Sequence, residues 1–137
     1  MVTLRDAEAL VGLRYVPGRF DCMHLAVLAQ HQLFGHTVRW ADQRHPVRDS
    51  DQVLLLDMSR AEVCRRLAVD EALASGHAVL FTVADGAAPR YHIGTLILGL
   101  GERWVLHTSQ ALGSSVLQRL SDCAAAGLRV EGFYAWL

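Results

Sequence analysis

The second half of the chain sets the narrowest limits on the fold. From His77 onward it consists of short runs rich in β-branched and aromatic residues, at 77–83, 90–98, 103–108, 115–119 and 128–136, separated by glycine-rich or polar turns. Runs of that length and composition, bounded by turn residues, read as strands, and short links between them predict a meandering antiparallel sheet.

The first half carries a helical period instead. Leu4, Ala7, Leu10 and Val11 recur at helical spacing behind Thr3, a good cap, and predict a helix within 3–13. Tyr15-Val16-Pro17-Gly18 breaks it, because proline cannot donate to the helix ladder and glycine admits a sharp turn. Asp21 is a strong N-cap, so a second helix is predicted to begin at Cys22 and to stop at Gly35. At roughly 100° per residue, Cys22, Leu25, Ala26, Ala29 and Leu33 share one azimuth, while His24 and His31 fall on the other side and read as solvated. Residues 36–52, with His45-Pro46 in the middle, read as a loop holding at most one short strand. Ser59 then reads as the cap of a helix over 60–74, with Val63, Cys64, Leu67, Ala68 and Leu73 on its apolar side and Gly76 at its end. Helices first and a sheet second predict an α+β architecture in a single domain spanning 1–137, without repeats or low-complexity segments.

Composition narrows the function classes. A chain of 137 residues that is 52% hydrophobic with a net charge of -1 predicts a compact core and argues against disorder and against electrostatic nucleic-acid binding. The three cysteines, Cys22, Cys64 and Cys123, cannot all pair with one another and are too widely spaced for a disulfide framework, so a reducing compartment is expected. An acid stands early in Met1-Val2-Thr3-Leu4-Arg5-Asp6, which is unlike a signal peptide, and no run approaches the length that spans a bilayer. Neither a membrane nor a nucleic acid is an expected partner.

The chemistry concentrates at three residues. Cys22 at a helix start sits where peptide dipoles favour thiolate, the nucleophilic form. A hairpin closed through Gly99-Leu100-Gly101-Glu102 makes Leu98 face Arg103, which brings His107 opposite Gly94 and diagonally next to His92 on one face. A thiolate, an imidazole to hold its proton and a second ring to orient that imidazole are the parts of nucleophilic acyl transfer, with Cys22 attacking, His92 relaying the proton and His107 fixing the tautomer. Cys64 and Cys123 read as packed thiols, and His36, His45 and His77 as surface or turn residues. A zinc site from Cys22, His24, His92 and His107 lacks the usual paired ligand spacing, and Gly99–Gly101 lacks the lysine and helix of a phosphate loop, so no metal or cofactor is expected.

These residues resemble the NlpC/P60 superfamily of papain-like cysteine peptidases, especially members found in bacteriophage tail assembly. Phe20-Asp21-Cys22-Met23-His24-Leu25 is similar to the family's F-D-C-S-G-L block at the aspartate, cysteine and leucine. Tyr91-His92-Ile93-Gly94 looks like its H-V-G-I block, Trp104-Val105-Leu106-His107-Thr108 like the strand ending in the third catalytic residue, and Gly132-Phe133-Tyr134 like the ending of the phage-type members. Met23-His24 departs from the family's small Ser-Gly pair, and Ser75-Gly76-His77 from its P-G-D turn. The resemblance implies a papain-like fold with N-terminal helices packed on an antiparallel sheet, and hydrolysis of peptidoglycan stem peptides next to D-glutamate. It further implies Tyr15 as a contributor to the oxyanion site and phage tail proteins as partners. A non-catalytic tail or scaffold module and a papain-like acyltransferase are the alternative expectations.

Overall fold

The computed structural model describes residues 1–38, 63–83 and 90–137. Among these residues, the helices α1 (Leu4–Glu8) and α2 (Cys22–Phe34) precede the strands β1 (Cys64–Arg66), β2 (Ala78–Val83), β3 (Arg90–Gly99), β4 (Glu102–His107) and β5 (Val116–Arg119). A short helix α3 (Leu120–Cys123), a single 3-10 turn and the strand β6 (Leu128–Trp136) complete the chain. The strands form one sheet in the order β1-β6-β2-β3-β4-β5, and every neighbouring pair is antiparallel. The protein is therefore α+β.

Local chemistry accounts for the ends of these elements. Thr3 Oγ1 accepts the Asp6 amide at 3.2 Å while Asp6 Oδ2 accepts the Thr3 amide at 2.8 Å, a capping box that starts α1. α1 is shorter than the helical period suggested: after Glu8 the chain turns through Gly12, whose φ of 87° is open to glycine at no steric cost. α2 starts behind Asp21 and ends at Gly35 in the left-handed conformation, as its sequence predicts.

The β3–β4 hairpin has the predicted register, with Leu98 opposite Arg103 and Thr95 opposite Leu106. Its loop is tighter than expected, because Gly99 already pairs with Glu102 and only Leu100 and Gly101 turn the chain. Both have positive φ, 54° and 72°, the backbone of the two-residue turn whose twist matches antiparallel strands.

Over the described residues 63–74 the helix expected for 60–74 is not formed. Ser59 and residues 60–62 lie outside the described residues, and Cys64, Arg65 and Arg66 form β1, paired with Trp136, Ala135 and Tyr134. Backbone bonds from Leu137 N to Val63 O (2.9 Å) and from Leu67 N to Phe133 O (2.8 Å) continue that alignment. The free edge of β6 offered these amides and carbonyls partners that a local helix could not match, so tertiary pairing overrode the apolar period. Of the loop expected over 36–52, residues 36–38 carry no helix or strand and the remainder likewise lies outside the described residues.

Alternation along β3 divides the core in two. Ala78, Leu80 and Ile93 share a buried cluster with Cys22, Met23 and Ala26 of α2, while Leu106 joins Leu25 and Ala29. The opposite row, Val79, Phe81, Leu96 and Val105, packs with Cys123 and with Leu120 and Leu128 from the C-terminal segment. No helix among the described residues is long and apolar enough to cross a membrane.

Candidate active site

Cys22 is the first residue of α2 and is 7% exposed. Its position is fixed by Asp21, whose Oδ1 accepts the amides of Met23 at 3.0 Å and His24 at 3.1 Å. His24 Nδ1 stands 2.8 Å from the same oxygen and 3.3 Å from the Asp21 amide nitrogen, so a histidine fills the capping-box position usually held by Glu or Gln. His24 is thus not the solvated ring its helical azimuth suggested. The cap carboxylate holds it against the helix start, leaving its side chain 18% exposed, whereas His31 is exposed. Burial opposes the charge on Asp21, but its bonds to the His24 ring and to the His24 and Met23 amides outweigh that and hold its carboxyl below the usual range.

His92 and His107 meet on the sheet. His92 Nε2 lies 2.8 Å from His107 Nδ1, with the ring planes at 72°. This is the diagonal contact that the hairpin register predicts. Phe81, directly across from His92 on β2, forms the floor under both rings, with centroid separations of 5.9 and 6.4 Å. Gly94 makes the approach of β4 possible: a Cβ there would stand 2.3 Å from Val105 Cγ1 and 3.3 Å from His107 Cβ.

The sequence reading missed the next group in this chain. His107 Nε2 lies 3.0 Å from Gln118 Oε1, and Cys123 Sγ stands 3.7 Å from the same oxygen and 3.6 Å from Arg119 O. Gln118 stands on β5 opposite Val105, two residues along β4 from His107 and on its face. The link from β4 to β5 is too long to fix a register from turn chemistry, so nothing in the residue pattern announces this contact.

Burial dominates the electrostatics here. It pushes His92 down to about 3, assisted by repulsion from a charge on His107, and it lowers His107 against the opposing effect of the Gln118 bond. Both rings are therefore neutral near pH 7. The other thiols are inert by the same cause: burial raises Cys64 to about 12, and burial followed by the Asp122 charge raises Cys123 to about 11.

The structure thus joins His92 to His107 and adds Gln118, whereas Cys22 packs with Ile93 on the opposite face of β3. The two rows alternate along β3, so the thiol and the rings approach it from different faces. Tyr15 lies between the two helices, half-buried, and its amide donates to Gly113 O at 2.9 Å in the link that follows β4. His36 Nε2 contacts Leu137 O at 3.0 Å, His77 Nδ1 accepts the Ala74 amide at 3.0 Å, and His45 lies outside the described residues.

No family model, no curated protein and no solved structure matches the chain.

Proposed function

We propose that the protein is a papain-like cysteine hydrolase of the NlpC/P60 type, acting on peptide or amide bonds of peptidoglycan stem peptides and carried by a phage tail or a similar delivery device. The observation that carries this reading is the buried His92–His107 contact of 2.8 Å, formed across the hairpin while Cys22 opens a capped helix packed on the same strand. The ladder between β3 and β4 ends at Thr95 and Leu106, and His107 pairs onward with Val116. Cys22 and the two rings pack against opposite faces of β3, so the reading requires the thiol and the His92 imidazole to meet at the end of this strand, where the β3–β4 ladder has stopped.

In this reaction the Cys22 S–H bond breaks, its proton passes to His92, and the sulfur electron pair forms a bond to the scissile carbonyl carbon. The tetrahedral intermediate collapses as the C–N bond breaks, and the departing amine takes the proton back from His92. Water then adds to the thioester, gives a proton to His92, and releases the acid product with the thiol restored. His92 is neutral at rest because it is buried, so proton transfer accompanies attack and does not precede it as a stored ion pair. His107 is the orienting group. Tyr15, tied to the link after β4, is the candidate for hydrogen bonding to the oxyanion.

Purified muropeptides are the substrate for the test. Wild-type protein is expected to cleave them, and Cys22→Ala is expected to lose about four orders of magnitude or more in kcat while its melting curve stays close to wild type. A fully active Cys22→Ala variant removes the mechanism.

A second reading, a non-catalytic tail module with the same fold, is favoured by one observation: Cys22 packs with the row of β3 that alternates with the histidines. Iodoacetamide separates the two. An activated Cys22 is alkylated at least about 100-fold faster than Cys64 or Cys123, whereas equal rates select the module.

A further inference from the structure

The nitrogen of His92 that receives the thiol proton has to be bare, and the hydrogen-bond chain behind it decides which one that is. Each neutral imidazole carries one N–H, so a ring whose Nε2 donates necessarily presents an unprotonated Nδ1. An amide oxygen only accepts. The nitrogen 3.0 Å from Gln118 Oε1 must then be a donor, which makes neutral His107 the Nε2–H tautomer with a bare Nδ1. That bare Nδ1 faces His92 Nε2 at 2.8 Å, so His92 must donate through Nε2 and keep its own Nδ1 as the lone-pair nitrogen. We propose, resting on the hydrolase reading above, that Gln118 is a positioning residue that sets the tautomers of both rings and thereby leaves His92 Nδ1 as the unprotonated, basic nitrogen.

The orientation of the Gln118 amide is the hinge of this chain, because turning it over reverses every donor. With its NH2 toward His107, that ring would accept at Nε2 and donate from Nδ1, and His92 would carry its proton on Nδ1, where no thiol proton could be received. Cys123 stands beside the amide. Its thiol keeps its proton at neutral pH because burial raises it, and that one proton has two acceptors in reach, Arg119 O at 3.6 Å and Gln118 Oε1 at 3.7 Å. Gln118 is half-buried on β5 and is thus anchored by a strand and not by a loop. His92 and His107 are both at the surface of no solvent pool: they are 6% and 2% exposed, so water does not compete for their ring nitrogens.

The test is the ring-nitrogen spectrum of the whole protein labelled with 15N-histidine, at pH 7 and without substrate. The expected wild-type result is Nε2–H with unprotonated Nδ1 on both His92 and His107. Gln118→Leu is expected to introduce an Nδ1–H population on both rings and to lower kcat on the order of 100-fold with KM unchanged. Gln118→Glu, which keeps an acceptor oxygen, restores the wild-type tautomers. An Nδ1–H on His92 in the wild-type protein, or a Gln118→Leu spectrum identical to wild type, overturns the proposal. The wild-type spectrum needs no variant to fold. A protein that shows the expected tautomers yet leaves muropeptides intact sinks the hydrolase reading while the assignment to Gln118 stands.

Discussion

On one side of β3, Ile93 shares a buried cluster with Cys22, Met23 and Ala26 of α2, and the contacts are apolar and non-directional. On the other side, His92 and His107 are equally buried but are held by directed bonds to each other and to Gln118 over the ring of Phe81. The same strand thus serves two physical purposes, and the comparison separates tolerance from precision. Apolar packing accepts swaps that conserve volume, whereas a buried polar chain loses its meaning when one donor or acceptor changes sides.

The comparison is broken most severely at the floor of the polar side. Phe81→Ala removes a fully buried ring beneath both histidines and is expected to cost about 3–5 kcal/mol in chemical denaturation. A loss below about 1 kcal/mol would mean that the rings are supported from elsewhere. Gly94→Ala comes next. Its Cβ meets Val105 and the β4 backbone, so a loss of about 1–3 kcal/mol is expected together with a weakened His92–His107 contact, while α2 keeps its packing.

Acid sharpens the contrast without a mutation. An unfolded His92 titrates near its ordinary value of about 6.5, and burial holds the folded ring at about 3. Below pH 6.5 the unfolded chain therefore binds a proton that the native state refuses, and stability falls as the pH falls toward 3. Lowering the pH from 7 to 5 is expected to cost about 2 kcal/mol from this ring alone. His107, shifted in the same direction, adds to the slope. His92→Gln should flatten the stability profile between pH 7 and pH 5, measured by urea denaturation against wild type, and an unchanged slope would show that the ring is hydrated. The smallest effect concerns the hairpin that sets the register. Leu100 sits at a φ of 54°, so Leu100→Asn is expected to raise stability by about 0.5–1 kcal/mol with the histidine contact unaltered.

The contrast also explains which parts of the molecule were legible. α2 was, because Asp21 and Gly35 mark its ends by local hydrogen bonding and backbone freedom, and the buried face of Cys22, Leu25, Ala26 and Ala29 follows from the helical period. The β3–β4 hairpin was legible for a similar reason: a tight turn fixes its own register, and with it the meeting of His92 and His107. β1 was not. Val63, Cys64 and Leu67 fit a helical stripe, and only the edge of β6, far away in sequence, turns them into a strand. Gln118 was hidden for the same reason, since its approach to His107 depends on a pairing across a long link.

The order of residues by itself determined the caps, the hairpin parity and the partnership of two rings, because each of these is settled within a few residues by turn geometry and periodicity. Tertiary structure alone decided that Cys22 rests on the face of β3 opposite the histidines and that Gln118 stands behind them. Sheet order and face are properties of strands that meet across long loops, and no local rule reaches that far.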